Sequence, residues 1–326
     1  MTKAPGKHYR EGISVFELGD MFPTEDSARE WFESVVWPKG RVCPRCGCTD
    51  TKVAAKTSGL PYYCRGCHEA FSVKICTALE KSKVPLRKWV FAIFLEMTSP
   101  KGVSSMKLHR DIKVTQKTAW FMLNRIREAW AGEAEEVFKV PVKVDETYVG
   151  GKRKNMSKAK QREQKEAGAG RGTVGKTAVP SVKYHDTNQI AAKVVQSTDA
   201  PTRQGFVEGH TAPDAKVYSD EVAAYDSMDR EHEWVNHSVG EYVREMPHTN
   251  GMESFWSMLK RGFQGVYHKM SAKHLQRYVD KFAGRHNIRE VGTMKQMQEV
   301  VTRMVGKRLM YRDLIADNGL SSGARS

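Results

Sequence analysis

The sequence predicts an α+β chain of several domains, and three observations carry that prediction. Two Cys-x-x-Cys pairs stand close together in the first quarter. An apolar pattern of helical period runs from residue 85 to about 130, and strand-like and helix-like segments alternate beyond residue 140. Of 326 residues, 40% are hydrophobic and 28% charged, a balance that belongs to folded chains long enough for more than one core. No apolar run approaches the roughly 18–20 residues of a membrane span, residues 89–97 being the nearest. Residues 1–10 hold no apolar stretch of the signal-peptide kind, so a membrane or secreted protein is not expected.

The net charge of +15 is unevenly spread. Residues 41–130 carry +11, 152–176 carry +7 and 256–326 carry +9, whereas 131–151 carry −3 and 211–255 carry −7. Basic stretches thus enclose two acidic ones. Scattered surface charge would explain this equally well; the sharper reading is a protein that grips a polyanion around an acidic, cation-binding centre.

Cys43-Pro-Arg-Cys46 and Cys64-Arg-Gly-Cys67, with 17 residues between the pairs, have the spacing of a four-cysteine zinc site. Each pair forms a knuckle that aims two thiolates at one tetrahedral Zn²⁺, with Gly47 and Gly66 easing the turns. Strands are expected around Tyr62-Tyr63 and Phe71-Ser72-Val73. A redox-active or disulfide pairing is the other possibility, and Cys48 is a competing ligand; Cys76 reads as a small apolar residue. Arg41, Arg45, Lys52, Lys56 and Arg65 give this zinc ribbon a basic surface.

Pro85 suits the first turn of a helix over residues 85–97, which Ser99-Pro100-Lys101-Gly102 ends. A second, short helix is expected over 104–111. Thr115 caps a third that runs to about Trp130. The third places Ala119, Met122, Leu123 and Ile126 inward and leaves Lys117, Asn124, Arg125 and Arg127 for the outside. Three helices of this kind fit a helix-turn-helix whose last helix enters a DNA groove; a plain helical bundle with a solvated basic face fits too.

Beyond an acidic linker, residues 140–144 alternate as a strand that ends at Asp145-Glu146-Thr147-Tyr148. A long basic loop over 152–176 separates it from strands at 178–185 and 190–196, a helix over 200–209 and a strand at 216–218, which delivers Asp220. Glu253 begins a helix with Met252, Phe255, Trp256 and Leu259 on its apolar stripe. Lys260 follows Glu253 by seven residues, two turns along one face. Such an order makes a mixed sheet flanked by helices, at whose edge acids from two strands and a helix can converge. Converging carboxylates repel and persist by holding hard cations such as Mg²⁺ or Mn²⁺. Glu146, Glu221, Asp226, Glu241 and Glu245 are rival acids, and Glu253 could simply serve the helix dipole.

These blocks resemble the bacterial insertion-sequence transposases that join an N-terminal zinc ribbon to a DDE, ribonuclease-H-like catalytic domain. The likeness rests on Trp37-Pro-Lys-Gly-Arg-Val-Cys-Pro-Arg-Cys46, Val144-Asp-Glu-Thr-Tyr-Val-Gly-Gly-Lys152 and His248-Thr-Asn-Gly-Met-Glu-Ser-Phe-Trp-Ser-Met-Leu-Lys-Arg261, with further blocks at 267–287 and 306–315. It implies Asp145, Asp220 and Glu253 as a triad holding two Mg²⁺ or Mn²⁺ ions, with Asn250 a second-rank ligand. It also implies Lys260 near the reacting phosphate. Arg261, Lys117, Arg125, Arg127, Lys152 and Arg153 complete the expected DNA contacts. The implied chemistry is cleavage of a strand at the element end by water, then attack of the freed 3′-hydroxyl on target DNA, without a covalent protein–DNA intermediate. Double-stranded DNA and a homodimer or larger assembly are the expected partners, in the bacterial cytoplasm at the nucleoid. An inactive DNA-binding regulator and a metal-dependent nuclease that cleaves without joining are the alternatives. The domains expected are a helical segment over 1–40, the ribbon over 41–80, the helix-turn-helix-like region over 81–135, the catalytic domain over 136–290 and a basic tail over 291–326.

Overall fold

The computed structural model describes residues 11–55, 58–132, 141–150, 157–159, 161–162, 176–184, 186–197, 199–219, 231–234 and 250–320. They fall into two compact units. One draws on Met1–Ala131 and Ile288–Asp317, the other on Gly132–Asn287 and Asn318–Ser326.

In the first unit, helices α1 (Val15–Met21) and α2 (Glu25–Val36) open on capping boxes. Ser14 Oγ accepts the Glu17 N–H at 3.1 Å, and the Glu17 carboxylate accepts the Ser14 N–H at 2.6 Å. Strands β1 (Thr51–Val53), β2 (Tyr62–Cys64) and β3 (Ala70–Phe71) form an antiparallel sheet in that order. The ribbon docks on the end of α2. Trp37 packs edge-on against Tyr62 and Phe71, with centroids 6.0 and 5.9 Å away, while the Tyr62 hydroxyl donates to Glu33 at 2.7 Å. Helices α3 (Leu86–Thr98), α4 (Ser105–Ile112) and α5 (Gln116–Glu128) follow. Lys113, at a left-handed φ of 51°, makes the turn between α4 and α5, and Thr115 Oγ1 caps α5 by accepting the Thr118 N–H at 3.1 Å.

The C-terminal segment departs from the expected basic tail. Residues Thr293–Arg303 form a helix (called α9 below) whose Met297, Val300 and Val301 are buried with Trp89, Ile93 and Leu123 in one core. The spacing of Met297, Val300, Val301 and Met304 is the same helical pattern that marks α3; its apolar residues outweigh the flanking charges. Burying each contributes about 1.5–3 kcal/mol.

The second unit is a five-stranded mixed sheet of β4 (Val142–Val149), β5 (Thr177–Tyr184), β6 (Ile190–Ala192), β7 (Val217–Ser219) and β8 (His232–Trp234), in the order β6-β5-β4-β7-β8. The first three run antiparallel, and β7 and β8 are parallel to β4, as in ribonuclease-H-like sheets. Helix α6 (Ala200–His210) packs Phe206 and Val207 on Val142, Val144 and Val182. Helices α7 (Asn250–Gly262) and α8 (Ala272–Asn287) share a separate core with Val149 and Val179. The expected apolar stripe of α7, Met252, Phe255, Trp256 and Leu259, is buried there, together with Leu275, Tyr278, Val279 and Phe282 of α8. Gly262 allows the two helices to meet, since a Cβ there would come within 2.6 Å of the Phe282 ring.

Two strand expectations change. β4 is longer than the pattern suggested: it continues to Val149 in register with β5, with Asp145 opposite Ser181, so Asp145 lies within the strand rather than beyond its end. β8 was not expected, because three residues show too little alternation to be read. The basic loop at 152–176 falls almost wholly outside the described residues, as do Lys56, Lys152, Arg153, Asp220, Glu221, Asp226, Glu241, Glu245 and His248. Among the described residues, no helix is long and apolar enough to cross a membrane.

Candidate active site and zinc centre

The four cysteines of the two pairs converge. Their sulfurs all lie within 4.8 Å of one another, with Cys43 to Cys67 at 3.7 Å and Cys46 to Cys64 at 3.6 Å. A tetrahedron with Zn–S bonds of about 2.3 Å has S···S edges of about 3.8 Å, so the cluster has the dimensions of a zinc site. The first knuckle is closed by the Gly47 N–H donating to the Cys43 carbonyl at 2.9 Å, at a φ of 75° that favours glycine. Gly66 has a different reason from the one the turn suggested: a Cβ there would sit 3.0 Å from Cys48 Sγ. Backbone N–H groups, led by that of Cys67, hold the Cys64 thiol down to about 6, which favours the thiolate that binds metal. Around the cluster, Arg41 stacks over Tyr62 at 4.0 Å, Arg45 pairs with Glu69 at 3.1 Å, and Lys52 lies over Tyr63.

The helix-turn-helix residues divide sharply. Lys117 is exposed near the start of α5, its ammonium 4.6 Å from the Tyr311 ring. Asn124, Arg125 and Arg127, expected to face DNA, are instead buried at 1%, 5% and 1% exposure. Arg125 donates to the Glu80 carbonyl at 2.9 Å and the Leu309 carbonyl at 3.3 Å, stacks on Phe121, and is pushed down to about 10 by burial. The cause is the C-terminal segment, which returns across this end of α5 and turns an apparently outer face into an inner one.

In the sheet unit, Asp145 and Glu146 are neighbours on β4, and the period of two sends them to opposite faces. Asp145 meets α7: Trp256 Nε1 donates to its Oδ2 at 2.8 Å, and its Oδ1 accepts the Glu146 N–H at 2.7 Å. Ser181, opposite on β5, donates to the Asp145 carbonyl at 3.1 Å. Glu146 meets α6, where Arg203 pairs with it at 3.1 Å and both side chains are largely enclosed; it also accepts the Tyr148 hydroxyl at 3.3 Å. Burial and the Glu146 charge push the Tyr148 phenol above its usual range. Glu146 is therefore part of an internal ion pair rather than a neighbour of Asp145 in one pocket.

Glu253 is exposed in the first turn of α7, one turn before Trp256, and Lys260 and Arg261 are exposed in its last turn. Asn250 starts α7; only its backbone is described. β7 ends at Ser219, the residue before Asp220, and lies parallel to β4 with Tyr218 opposite Lys143. Trp256 is the neighbour of Asp145 that pattern reading missed. Its place on the apolar stripe was legible, but a ring counted as core gives no sign that its N–H is aimed at a carboxylate.

Two family models match the chain: the ISXO2-like transposase domain over residues 138–287 and the transposase zinc-ribbon domain over residues 23–70. The ribbon match begins just before α2 and includes all of it, in keeping with the way Glu33 and Trp37 bind the ribbon. The chain is also 26% identical over 280 residues to a protein of Halobacterium salinarum described as an uncharacterized protein in transposable element ISH50, covering 82% of this chain and 92% of that one. That relative comes from an archaeon, so the likeness is not confined to bacterial elements. With both domains present in order and a transposon relative spanning most of its length, the chain belongs to the insertion-sequence transposases that pair a zinc ribbon with an ISXO2-like transposase domain.

Proposed function

We propose that this transposase cleaves DNA strands at the ends of its element and transfers the freed 3′-hydroxyls into target DNA, with Asp145, Asp220 and Glu253 as its metal-binding acids. The observation that carries the reading is the Trp256–Asp145 hydrogen bond. It ties the β4 acid to α7 one turn from Glu253, so two of the three acids belong to elements joined at the site itself. Asp145 and Glu253 offer hard oxygen donors with access to solvent, the chemistry that Mg²⁺ or Mn²⁺ requires. When bound, a pair of such ions supplies Lewis-acid activation of water or a 3′-hydroxyl and stabilises the leaving oxygen.

The protein's own part is positional. Trp256 and the Glu146 N–H each hold one oxygen of Asp145, fixing the plane of the carboxylate while leaving lone pairs on both. Ser181 steadies the strand beneath it. Lys260 and Arg261, two turns beyond Glu253, are the α7 cations assigned to the DNA backbone, and Lys152, Arg153 and, in the other unit, Lys117 are assigned as further backbone contacts. The enzyme acts on double-stranded DNA as a homodimer or larger assembly, in the cytoplasm at the nucleoid.

Asp145→Asn is expected to abolish cleavage and joining of DNA bearing the element ends, in Mg²⁺ or Mn²⁺, while DNA binding persists. Full cleavage by this variant would overturn the assignment. Cleavage by the wild-type protein without any joining would make it a nuclease instead.

A further inference from the structure

With Arg125 and Arg127 withdrawn into the core, the helix-turn-helix keeps only Lys117 of the three cations its sequence promised, and a different part of the same unit adds others. A cavity of about 440 Å³ opens beside the start of α5, between it and the segment leading into α3. Lys81, Lys83 and Lys88 line it, Arg125 contributes to its wall, and the hydroxyls of Thr115 and Thr118 lie along it. Trp89, Phe121 and Met122 add an apolar lining.

No carboxylate is among the lining residues. Two acids beside the segment are engaged elsewhere: Glu80 pairs with Arg308 at 3.4 Å, and Glu25 accepts the Leu86 and Arg87 N–H groups at 2.6 and 2.9 Å. The segment is also firmly built. Lys74 donates to the Ser82 and Val84 carbonyls at 3.2 and 2.8 Å, and Trp89 Nε1 donates to Ser82 Oγ at 3.2 Å. Lys88 donates to the carbonyl of Lys113, the turn residue between α4 and α5, at 2.9 Å. Lys81 and Lys83 are exposed on this braced segment.

We infer that this cationic groove is a docking site for the sugar–phosphate backbone of double-stranded DNA. Lys81 and Lys83 neutralise phosphates, and the apolar lining takes the deoxyribose. Of the Thr115 and Thr118 hydroxyls, which are bonded to each other at 2.8 Å, the one whose O–H is not used in that bond donates to a phosphate oxygen. Contacts of this kind fix register without reading sequence. The inference rests on the DNA-binding reading above and says where the helical region makes its backbone contacts.

The test measures binding of the full chain to a fluorescein-labelled duplex of mixed sequence by polarisation, over a series of KCl concentrations. Lys81→Ala/Lys83→Ala is expected to weaken binding about tenfold and to lower the slope of log K against log[salt] by about 2, roughly one for each lost phosphate contact. Lys39→Ala/Lys295→Ala removes the same charge from exposed positions of the same unit that do not line the groove, and should leave the slope unchanged. An unaltered slope in the groove variant, or an equal loss in the control, overturns the inference. A wild-type protein that fails to bind the duplex at all refutes the DNA-binding reading itself.

Discussion

Both units bury an arginine, and the two partners make opposite uses of it. In the ribbon and helix unit, Arg125 is held by the Glu80 and Leu309 carbonyls and fastens the C-terminal segment to α5. In the sheet unit, Arg203 is held by the Glu146 carboxylate on the face of β4 that Asp145 does not use. A guanidinium on carbonyls closes a fold. One on a carboxylate neutralises an acid that would otherwise stand charged and largely enclosed without a partner. The same residue type is thus a structural fastener in one unit and a buried counter-ion in the other.

The largest effect that can separate the units is loss of zinc. A ribbon of this size depends on its metal, so chelation should erase it while β4–β8 keep their structure. Thiol titration should show Cys43, Cys46, Cys64 and Cys67 becoming reactive, with the sheet unit's unfolding transition unmoved. Simultaneous loss of both units would break the comparison.

Arg203→Ala comes next, because it leaves Glu146 charged and largely enclosed without its partner; breaking such a pair costs about 3 kcal/mol. The denaturant midpoint of the sheet unit should fall accordingly, and Glu146→Gln in the same chain should recover part of the loss. A full-stability Arg203→Ala protein would show that Glu146 finds solvent or another cation. Arg125→Ala should cost somewhat less, about 2–3 kcal/mol, by stranding two carbonyls. It should destabilise the ribbon and helix unit without lowering the salt slope of DNA binding. A stable variant with weakened DNA binding would restore Arg125 to the DNA-facing role its sequence position suggests.

What could be read in advance divides along the same line. The four cysteines, the cap Thr115, and the apolar stripes of α3, α5 and α7 were legible, because each depends on spacing within a few residues. The burial of Arg125 was not, since the carbonyls that receive it are 45 residues earlier and 184 residues later in the chain. Helical periodicity separates inside from outside only relative to neighbours that are known, and α9 with its following segment was read as a tail. For the candidate site, Asp145 and Glu146 looked like rivals because adjacency in sequence hides the fact that a strand parts them. The length of β4 decided it: a strand ending at Val144 leaves both acids on a turn, whereas one running to Val149 assigns them to different faces.

The smallest change bears on the site most directly. Trp256→Phe keeps the ring among Met252, Phe255 and Leu259 and removes only the N–H that reaches Asp145 Oδ2. A hydrogen bond to a charged acceptor contributes about 1.5–3 kcal/mol when buried, and Asp145 is only half-buried, so a stability loss of about 1 kcal/mol is expected. If the bond merely helps α7 pack, nothing else should change. If it holds the carboxylate in its metal-binding plane, the Mn²⁺ concentration at half-saturation, followed by calorimetry on the protein without DNA, should rise several-fold while Zn²⁺ content stays the same. Strand cleavage should then recover at high Mn²⁺, which lost packing alone would not allow.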